Sequence, residues 1–434
     1  MNEYISMTII KDVSGREILD SRGNPTVEVT LTLEDGTIAV AGVPSGASTG
    51  TFEAHELRDG DTGRYGGLGV LQAVGFVNGE LRDAVIGADA ALQLPLDTIL
   101  KECDGTANKS RVGANALLGI SLAAARATAL SRQMPLYQYI AELIGTPLDA
   151  NRFPTPMFNI LNGGKHSDSG LSTQEFKLVP SGVISYPEQL RAGSEIFHVL
   201  KKLLEADHFS TGVGDEGGFA PRLESHAQAL EKINQAIGEA GYEPGKQVFL
   251  GLDVAANSFY VPEQDLYQMQ PEGASLSRDR LTNLYREWIE RYHIVSLEDG
   301  LHEEDWDGWR EMSEKLTVSP ASWGKQLLII GDDLLVTNIE RVEKALSAKS
   351  CNSVLIKPNQ IGTLSETLAC MRLAHTNGLD AVVSHRSGET SDDFIADLAV
   401  GAGSRFIKTG SLSRGERLVK YNRLLRIYSE LHSV

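Results

Sequence analysis

The residue that is best placed to take part in catalysis is Lys357, which follows the short apolar run Ser353–Ile356. Such a run, with Pro358 after the lysine, predicts a buried strand. A lysine at the end of a buried strand is partly withdrawn from water, which lowers its pKa and makes it a candidate general base. The alternative is a lysine whose ammonium group reaches solvent, and for a lone lysine this is the commoner case.

Five further apolar runs end in polar residues in the same way. From Asp332 onward these ends lie about 25 residues apart, the length of a strand, a helix and their connections. Repeated units of this kind predict a TIM-type (β/α)8 barrel, in which chemistry takes place at the carboxyl ends of the strands. One rim is therefore expected to gather Asp253, Glu298, Asp332, Lys357, His385, Arg386 and Lys408.

Three of these residues are carboxylates that follow consecutive strands: Asp253, Glu298 and Asp332. Three acids at one rim repel one another unless a cation lies among them. Oxygen ligands, completed by a substrate, suit Mg²⁺. The alternative is that each acid is a solvated strand end or a helix cap, but three in series beside a lysine favour a shared metal site.

A base lysine beside a divalent cation indicates removal of a proton next to a carboxylate group. Such a proton is very weakly acidic, and metal charge stabilises the enediolate that forms. Lys408 could hold the substrate carboxylate, or it could keep Lys357 neutral by repulsion.

The stretch from Ser384 to Ser387, which includes His385 and Arg386, precedes a predicted helix. Hydroxyl, guanidinium and backbone N–H groups near a helix start can bind a phosphate. The alternative is an ion pair between Arg386 and a nearby acid such as Asp392.

Glu216 lies in a loop with Gly214 and Gly217. Glycine permits backbone conformations that other residues rarely adopt, and such a conformation could direct the Glu216 carboxylate into the barrel. As a general acid it would need a raised pKa, and the alternative is a plain surface turn. His166, Gln174 and Glu175 are weaker candidates, because a loop histidine is more often solvated than catalytic.

The loop from Gly46 to Gly50 matches a nucleophile-elbow pattern around Ser48. That elbow needs a following helix, and residues 51–61 form a poor one. A mobile serine loop that closes over a site is the better interpretation.

The bulk composition narrows the possible partners. The chain has 434 residues, a net charge of −18 and three cysteines without CxxC spacing. The negative charge argues against nucleic acid and anionic membranes as main ligands, and no disulfide framework is implied. We expect no membrane span and no secretory signal, and hence a cytoplasmic protein.

The chain reads as two domains. Residues 1–145 contain an antiparallel hairpin, Thr26–Leu33 with Thr37–Val43, followed by mainly helical sequence, which predicts an α+β domain. Residues 146–434 are expected to form the barrel. Its start is irregular, because two strand-like runs precede two helices before the regular βα series begins, giving a ββαα order.

With these residues set out, the chain resembles the enolase family from end to end. The matching segments are Arg16–Val29, Pro44–Gly50, Asn108–Ser110, Gly113–Ala116, Val213–Pro221, Ser296–Gly300, Gly331–Leu334, Leu355–Gly362 and Ser384–Thr390. The resemblance implies a hydro-lyase that reversibly dehydrates 2-phosphoglycerate to phosphoenolpyruvate in glycolysis and gluconeogenesis. It also implies a lysine base, two Mg²⁺ per site and a homodimer, or in some members an octamer.

The resemblance also implies roles for individual residues. Lys357 would remove the C2 proton and Glu216 would protonate the departing hydroxyl, with Glu175 and His166 beside it. The first Mg²⁺ would bind Asp253, Glu298 and Asp332, and Ser48 would reach the second. The substrate-binding residues would be Gln174, Ser384, His385, Arg386, Ser387 and Lys408.

The chain departs from the family pattern at Ser258, which replaces a common glutamate, at Leu68, which replaces a lysine, and in the loop 167–171. None of these is a proposed catalytic residue, and a divergent paralogue is one interpretation. Two other hypotheses stay open. One is a barrel lyase or racemase that acts on an unphosphorylated acid, and the other is a non-catalytic binding protein that keeps the fold.

Overall fold

The computed structural model describes residues 8–46, 50–318 and 321–432. The chain begins with a three-stranded antiparallel sheet in the order β1 (Ile10–Leu19), β2 (Pro25–Leu33) and β3 (Ile38–Gly42). Along β2, Val27, Val29, Leu31 and Leu33 are fully buried and alternate with more exposed residues, as expected of a strand with one wet face. The predicted hairpin is confirmed.

Five α-helices follow this sheet: α1 (Leu71–Phe76), α2 (Arg82–Val85), α3 (Gln93–Asp104), α4 (Ala114–Ser131) and α5 (Leu136–Ile144). Helix α4 packs against β2 and β3, and its small residues allow a close approach, since a Cβ on Gly119 would lie 2.5 Å from a methyl group of Val29. By length and by a mean hydropathy of 1.2, α4 could cross a membrane, yet 83% of that window is buried within the described molecule. A core helix of a soluble fold passes the same test.

The second sheet closes into a barrel. Its strands are β4 (Thr155–Pro156), β5 (Phe158–Asn162), β6 (Glu175–Val179), β7 (Phe249–Asp253), β11 (Ile294–Glu298), β12 (Leu328–Gly331), β13 (Ser353–Ile356), β14 (Asp380–Ser384) and β15 (Phe406–Lys408). Only Met157 separates β4, which pairs with β15, from β5, which pairs with β6. The two short strands therefore act as one, and they join the ends of the sheet.

The start of the barrel has the predicted ββαα order, with α6 (Tyr186–Ala206) and α7 (His226–Glu239) between β6 and β7. Strand β6 runs antiparallel to both of its neighbours. The remaining barrel helices are α8 (Arg278–Tyr292), α9 (Trp306–Leu316), α10 (Ile339–Ala348), α11 (Pro358–Ile361), α12 (Leu364–Thr376), α13 (Phe394–Gly401) and α14 (Gly415–His432). A small antiparallel sheet, not predicted from the sequence, consists of β8 (Tyr260–Val261), β9 (Leu266–Met269) and β10 (Ala274–Leu276).

Strand register brings polar strand ends to one rim. Asp253 is the register partner of Glu298 on one side and of Glu175 on the other. Glu175 is the first residue of β6, and it reaches this rim because β6 runs in the opposite direction. On the far side of the ring, Ser384 is the register partner of Lys408.

Ion pairs join the N-terminal part to the barrel. The guanidinium of Arg126, on α4, donates to Asp392 at 2.8 and 2.9 Å and to Asp393 at 3.3 Å. The buried carboxylate of Asp97, on α3, accepts the backbone N–H of Ser365 at the start of α12, at 2.8 Å. The two parts therefore meet through the ion pairs of Arg126 and through a hydrogen bond to the buried carboxyl group of Asp97.

We predict that Arg126→Leu destabilises the protein by about 3 kcal/mol, because it leaves the Asp392 carboxylate without its buried partner. The matched control is Arg16→Leu, which removes the exposed pair with Glu28 and is expected to cost less than about 1 kcal/mol. Urea denaturation followed by circular dichroism measures both. Equal losses in the two variants would contradict the interpretation.

Candidate active site

A small polar cavity opens at this rim of the barrel. Its lining consists of Gln174, Glu175, Glu216, Asp253, Lys357, His385, Arg386, Ser387 and Lys408. All of them are buried except Lys357, which is partly buried. The structure thus brings together in one cavity nine residues that the sequence placed on four strand ends and two loops.

Lys408 lies among three carboxylates. Its Nζ is 2.6 Å from Glu298 Oε1, 3.1 Å from Asp253 Oδ2 and 3.2 Å from Glu175 Oε1. Burial acts to lower the pKa of Lys408, but these acids outweigh it and raise the pKa well above its usual value. Lys408 is therefore a fixed positive charge at this rim.

A second lysine, Lys177, was not found by sequence reasoning. Its fully buried Nζ is 2.5 Å from Glu298 Oε2, so Glu298 is held by two ammonium groups. Burial acts to raise the pKa of Asp253, but Lys408 and Lys177 outweigh it and lower the pKa. The signal was present in the sequence, because Lys177 lies two residues after Glu175 and shares its face of the strand.

Lys357 pairs with Asp332, whose Oδ2 is 2.5 Å from its Nζ. Burial acts to lower the pKa of Lys357, but the Asp332 carboxylate outweighs it and the net shift is upward. The expectation of a lowered pKa was therefore wrong for this state of the protein, because it counted desolvation without the partner charge. Gln360 donates to the other oxygen, Asp332 Oδ1, at 2.8 Å.

Glu216 and Glu175 occupy the opposite wall of the cavity. Asn159 donates its amide N–H to Glu216 Oε2 at 2.8 Å. The predicted backbone freedom is used at Gly217, where φ is +88° and a Cβ would lie 2.7 Å from the carbonyl oxygen of Ser413. Burial, followed by the nearby charge of Glu216, raises the pKa of Glu175 well above its usual value.

His385 is held as a neutral ring. Arg417, on α14, donates to its Nδ1 at 2.7 Å, so the ring proton belongs on Nε2, which lies 3.6 Å from Glu216 Oε1. Burial lowers the pKa of His385 well below its usual value, and the charge of Glu216, which acts in the opposite direction, does not outweigh it. Arg417 also donates to the backbone carbonyls of Arg386 and Ser387, at 2.6 Å each.

The guanidinium of Arg386 pairs with an acid, though not with Asp392, which binds Arg126 instead. Its Nη1 is 2.9 Å from Glu53 Oε2 and its Nη2 is 3.2 Å from Glu53 Oε1. Glu53 comes from the N-terminal part of the chain and was not identified from the sequence. Ser387 is buried beside Arg386.

The remaining predicted residues are placed as follows. Gln174 donates to Asp253 Oδ2 at 3.3 Å, and the Ser384 hydroxyl donates to the His385 carbonyl at 3.0 Å. His166 ends a short 3₁₀ helix, Gly164–His166, but its side chain lies outside the described part of the structure. Ser48 lies outside the described residues altogether.

Several acidic groups at the rim could hold a metal ion. Within the described ranges, two sets of side chains bring ligand atoms within 4.8 Å of one another: Asp299, Asp332 and Asp333, and Glu175, Glu216 and His385. Of the predicted trio, only Asp332 belongs to these sets, while Asp253 and Glu298 are drawn to Lys408. Burial and the charge of Asp332 raise the pKa of Asp333 to about 7, as expected of acids that lie close together.

The donor set suits a divalent cation. Asp253, Glu298 and Asp332 offer carboxylate oxygens, the ligand type that Mg²⁺ prefers. Two buried oxygens beside them, Gln174 Oε1 and Glu175 Oε2, have no hydrogen-bond partner among the described residues. The buried acids and the orphaned oxygens are both what a cation would satisfy.

A larger and more open cleft, of about 740 Å³, is lined by the loop 164–172 with Arg222, Tyr260 and other residues. Its charged side chains, Lys165, Asp168 and Arg222, are exposed. Water screens exposed charges, whereas it screens the buried groups of the smaller cavity far less. The smaller cavity is therefore the candidate active site.

An eight-stranded barrel with lysines and carboxylates at its carboxyl rim is typical of the TIM-barrel class of enzymes, whose chemistry takes place at that rim. Comparison with known families agrees. Residues 150–434 match the family described as enolase, C-terminal TIM barrel domain, and residues 10–140 match the enolase N-terminal domain. The chain belongs to the enolase family, and its function is of the enolase type.

The buried, neutral His385 predicts a pH dependence of stability. The pKa of His385 is lower in the folded than in the unfolded state. Below pH 6.5 the unfolded state therefore binds more protons, and the free energy of unfolding decreases as the pH is lowered. With the ring neutral in the folded state, His385 lowers the free energy of unfolding by about 2 kcal/mol between pH 6.5 and pH 5. We expect His385→Gln to have a shallower slope over this window.

Urea denaturation of both proteins at several pH values measures this slope. The constant cost of the substitution cancels, because only the change with pH is compared. Parallel curves for wild type and variant would contradict a neutral, buried His385.

Proposed function

We propose that this protein catalyses the reversible, Mg²⁺-dependent dehydration of 2-phosphoglycerate to phosphoenolpyruvate, a phosphopyruvate hydratase activity of glycolysis and gluconeogenesis. One observation carries the proposal: in a member of the enolase family, Lys357 and Glu216 line the same buried cavity as Arg386 and Lys408. A base, an acid and two cationic anchors are the groups that this reaction needs.

The two anchors would divide the substrate between them. Lys408, kept positive by its acidic neighbours, would bind the carboxylate of the substrate. Arg386 and Ser387 would bind the phosphate, since a guanidinium fork matches phosphate oxygens in a bidentate manner. Gln174, Ser384 and His385 would complete the substrate contacts.

The chemical step would use the two walls of the cavity. Lys357 would accept the proton from C2, and the electron pair left behind would form the C2–C3 double bond as the C3–O bond breaks. Glu216 would give its proton to the departing hydroxyl, which leaves as water, with Glu175 and His166 beside it. Each proton and electron pair is then accounted for, and the reverse reaction uses the same groups with exchanged protonation states.

Two cations are part of this proposal. One Mg²⁺, held by Asp253, Glu298 and Asp332, and a second, bound with the substrate near Ser48, would neutralise the negative charge that develops on the substrate carboxylate. Lys357, Lys408 and Lys177 already balance these acids in part, so the side chains that would hold the metal are kept together by ammonium groups.

We also propose that the protein assembles as a homodimer or an octamer, and sedimentation velocity measures this assembly directly. A cytoplasmic location agrees with the scarcity of cysteine.

The central test is formation of phosphoenolpyruvate from 2-phosphoglycerate, followed by ultraviolet absorbance with Mg²⁺ and with EDTA. We expect turnover with Mg²⁺ and none with EDTA. Unphosphorylated glycerate serves as the second substrate, and turnover of glycerate alone would point to a different barrel lyase. Activity that persists in EDTA, or no activity with either substrate, would overturn the proposal.

Lys357→Met is expected to lower kcat by about 10²- to 10⁴-fold, because it removes the base while keeping a side chain of similar size. The control is Lys246→Met, which removes a lysine that is 75% exposed and should leave kcat unchanged. Circular dichroism and thermal unfolding check that both variants fold. Near-normal turnover by folded Lys357→Met would exclude Lys357 as the base.

A further inference from the structure

The Glu53–Arg386 pair is an ion pair inside the candidate site. The Arg386 side chain is 3% exposed and that of Glu53 is 7% exposed. Both terminal nitrogens of the guanidinium face the two carboxylate oxygens, in the paired arrangement that makes arginine–carboxylate bonds strong. Arg386 is thus engaged by an anion that the protein itself supplies.

Glu53 is held in place by its surroundings. The backbone N–H of Gly50 donates to Glu53 Oε1 at 3.1 Å, and the N–H of Ala54 donates to the Gln360 carbonyl at 2.8 Å. The Gln360 side chain also donates to Glu53 Oε1, at 3.3 Å. These contacts fix the carboxylate against the barrel, so the pair is a built feature of the fold.

Neighbouring residues dock the same segment without touching Arg386. The Thr51 hydroxyl donates to Glu303 Oε1 at 2.7 Å, and the guanidinium of Arg341 stacks on the Phe52 ring at 3.9 Å. Docking of the segment and occupation of Arg386 therefore depend on different side chains. Substitutions can separate the two effects.

A phosphate that binds Arg386 in a bidentate manner through its two terminal nitrogens would need the nitrogens that Glu53 occupies, one of which also donates to Asn359 Oδ1 at 3.1 Å. The fork cannot present the same two N–H directions to two anions, so one anion must leave before the other binds. A dianionic phosphate makes stronger charge-assisted bonds than a single carboxylate or a halide ion. Only a strongly bound anion can then displace Glu53.

We propose that Glu53 is an internal competitor for the phosphate site, and that it sets the affinity threshold an anion must exceed to occupy Arg386. This rests on the proposed function, which assigns phosphate to Arg386. Phosphorylated substrates exceed the threshold, while common monoanions such as chloride and acetate bind too weakly to displace the carboxylate. Glu53 is accordingly a specificity-determining residue for the site.

The first test measures binding of inorganic phosphate to the full-length, Mg²⁺-loaded protein by isothermal titration calorimetry. We expect Glu53→Gln, which keeps the shape but removes the charge, to bind phosphate at least about tenfold more tightly than wild type. The matched control is Glu303→Gln, which removes a negative charge from the barrel residue that contacts Thr51 of the docked segment, without touching Arg386, and it should bind phosphate like wild type.

A second readout uses turnover of 2-phosphoglycerate. In Glu53→Gln, chloride and acetate should raise KM at concentrations that leave the KM of wild type unchanged, because the threshold against weak anions is gone. A merely structural role for Glu53 would not change sensitivity to these salts. Glu53→Asp, which keeps the charge but shortens the reach, should lie between wild type and Glu53→Gln, and it replaces that variant if Glu53→Gln does not fold.

Arg386→Met separates failure of this inference from failure of the proposed function. If wild type binds phosphate, Arg386→Met does not, and Glu53→Gln binds no more tightly than wild type, the competitor role is wrong and the phosphate assignment stands. If Arg386→Met binds phosphate as well as wild type does, or none of the proteins binds it, the assignment to Arg386 fails and the competitor role fails with it.

Discussion

The structure depends on the pairing of buried opposite charges at one rim of the barrel. Each buried ion loses hydration worth several kcal/mol, which only a close counter-charge offsets. Glu298 has two such partners, Lys177 and Lys408, while Asp332 has Lys357. The fold must therefore place these lysines within bonding distance of the acids. An error of one residue in strand register would turn a charged side chain to the other face of the sheet and leave its partner buried alone.

The barrel meets this requirement through two irregular features. Because β6 runs in the reverse direction, Glu175, the first residue of its strand, lies at the same rim as Asp253, the last residue of β7. The second feature is a contact from the N-terminal part of the chain, in which Glu53 pairs with the guanidinium of Arg386. The site thus belongs to both parts of the chain. One ion pair that joins the parts, Glu53 with Arg386, also fixes the position of a group inside the cavity.

How much of the fold and of the site can be predicted from the sequence depends on how far apart in the chain the interacting residues lie. A polar residue after an apolar run is a local pattern, so the rim and the ββαα start could be predicted. Lys177 lies inside a strand and Glu53 lies in a distant loop, and their partners are fixed only by register and by docking. The direction of the Lys357 pKa shift failed for the same reason, because burial is readable from the local sequence whereas the 2.5 Å contact with Asp332 is not.

The Lys357–Asp332 pair bears on how one lysine could serve the reversible reaction that we propose. Removal of a proton needs a neutral amine, and the reverse reaction needs an ammonium group. The groups around Lys357 oppose one another: burial, Arg386 and Lys408 lower its pKa, while Asp332 and Glu53 raise it. With Asp332 free to pair, the ammonium form dominates. Once the charge of Asp332 is engaged elsewhere, burial, Arg386 and Lys408 act against Glu53 alone, and the pKa of Lys357 shifts toward the neutral form. The protonated lysine of the resting structure is therefore compatible with a base, because the charge of one neighbouring carboxylate decides between its two forms.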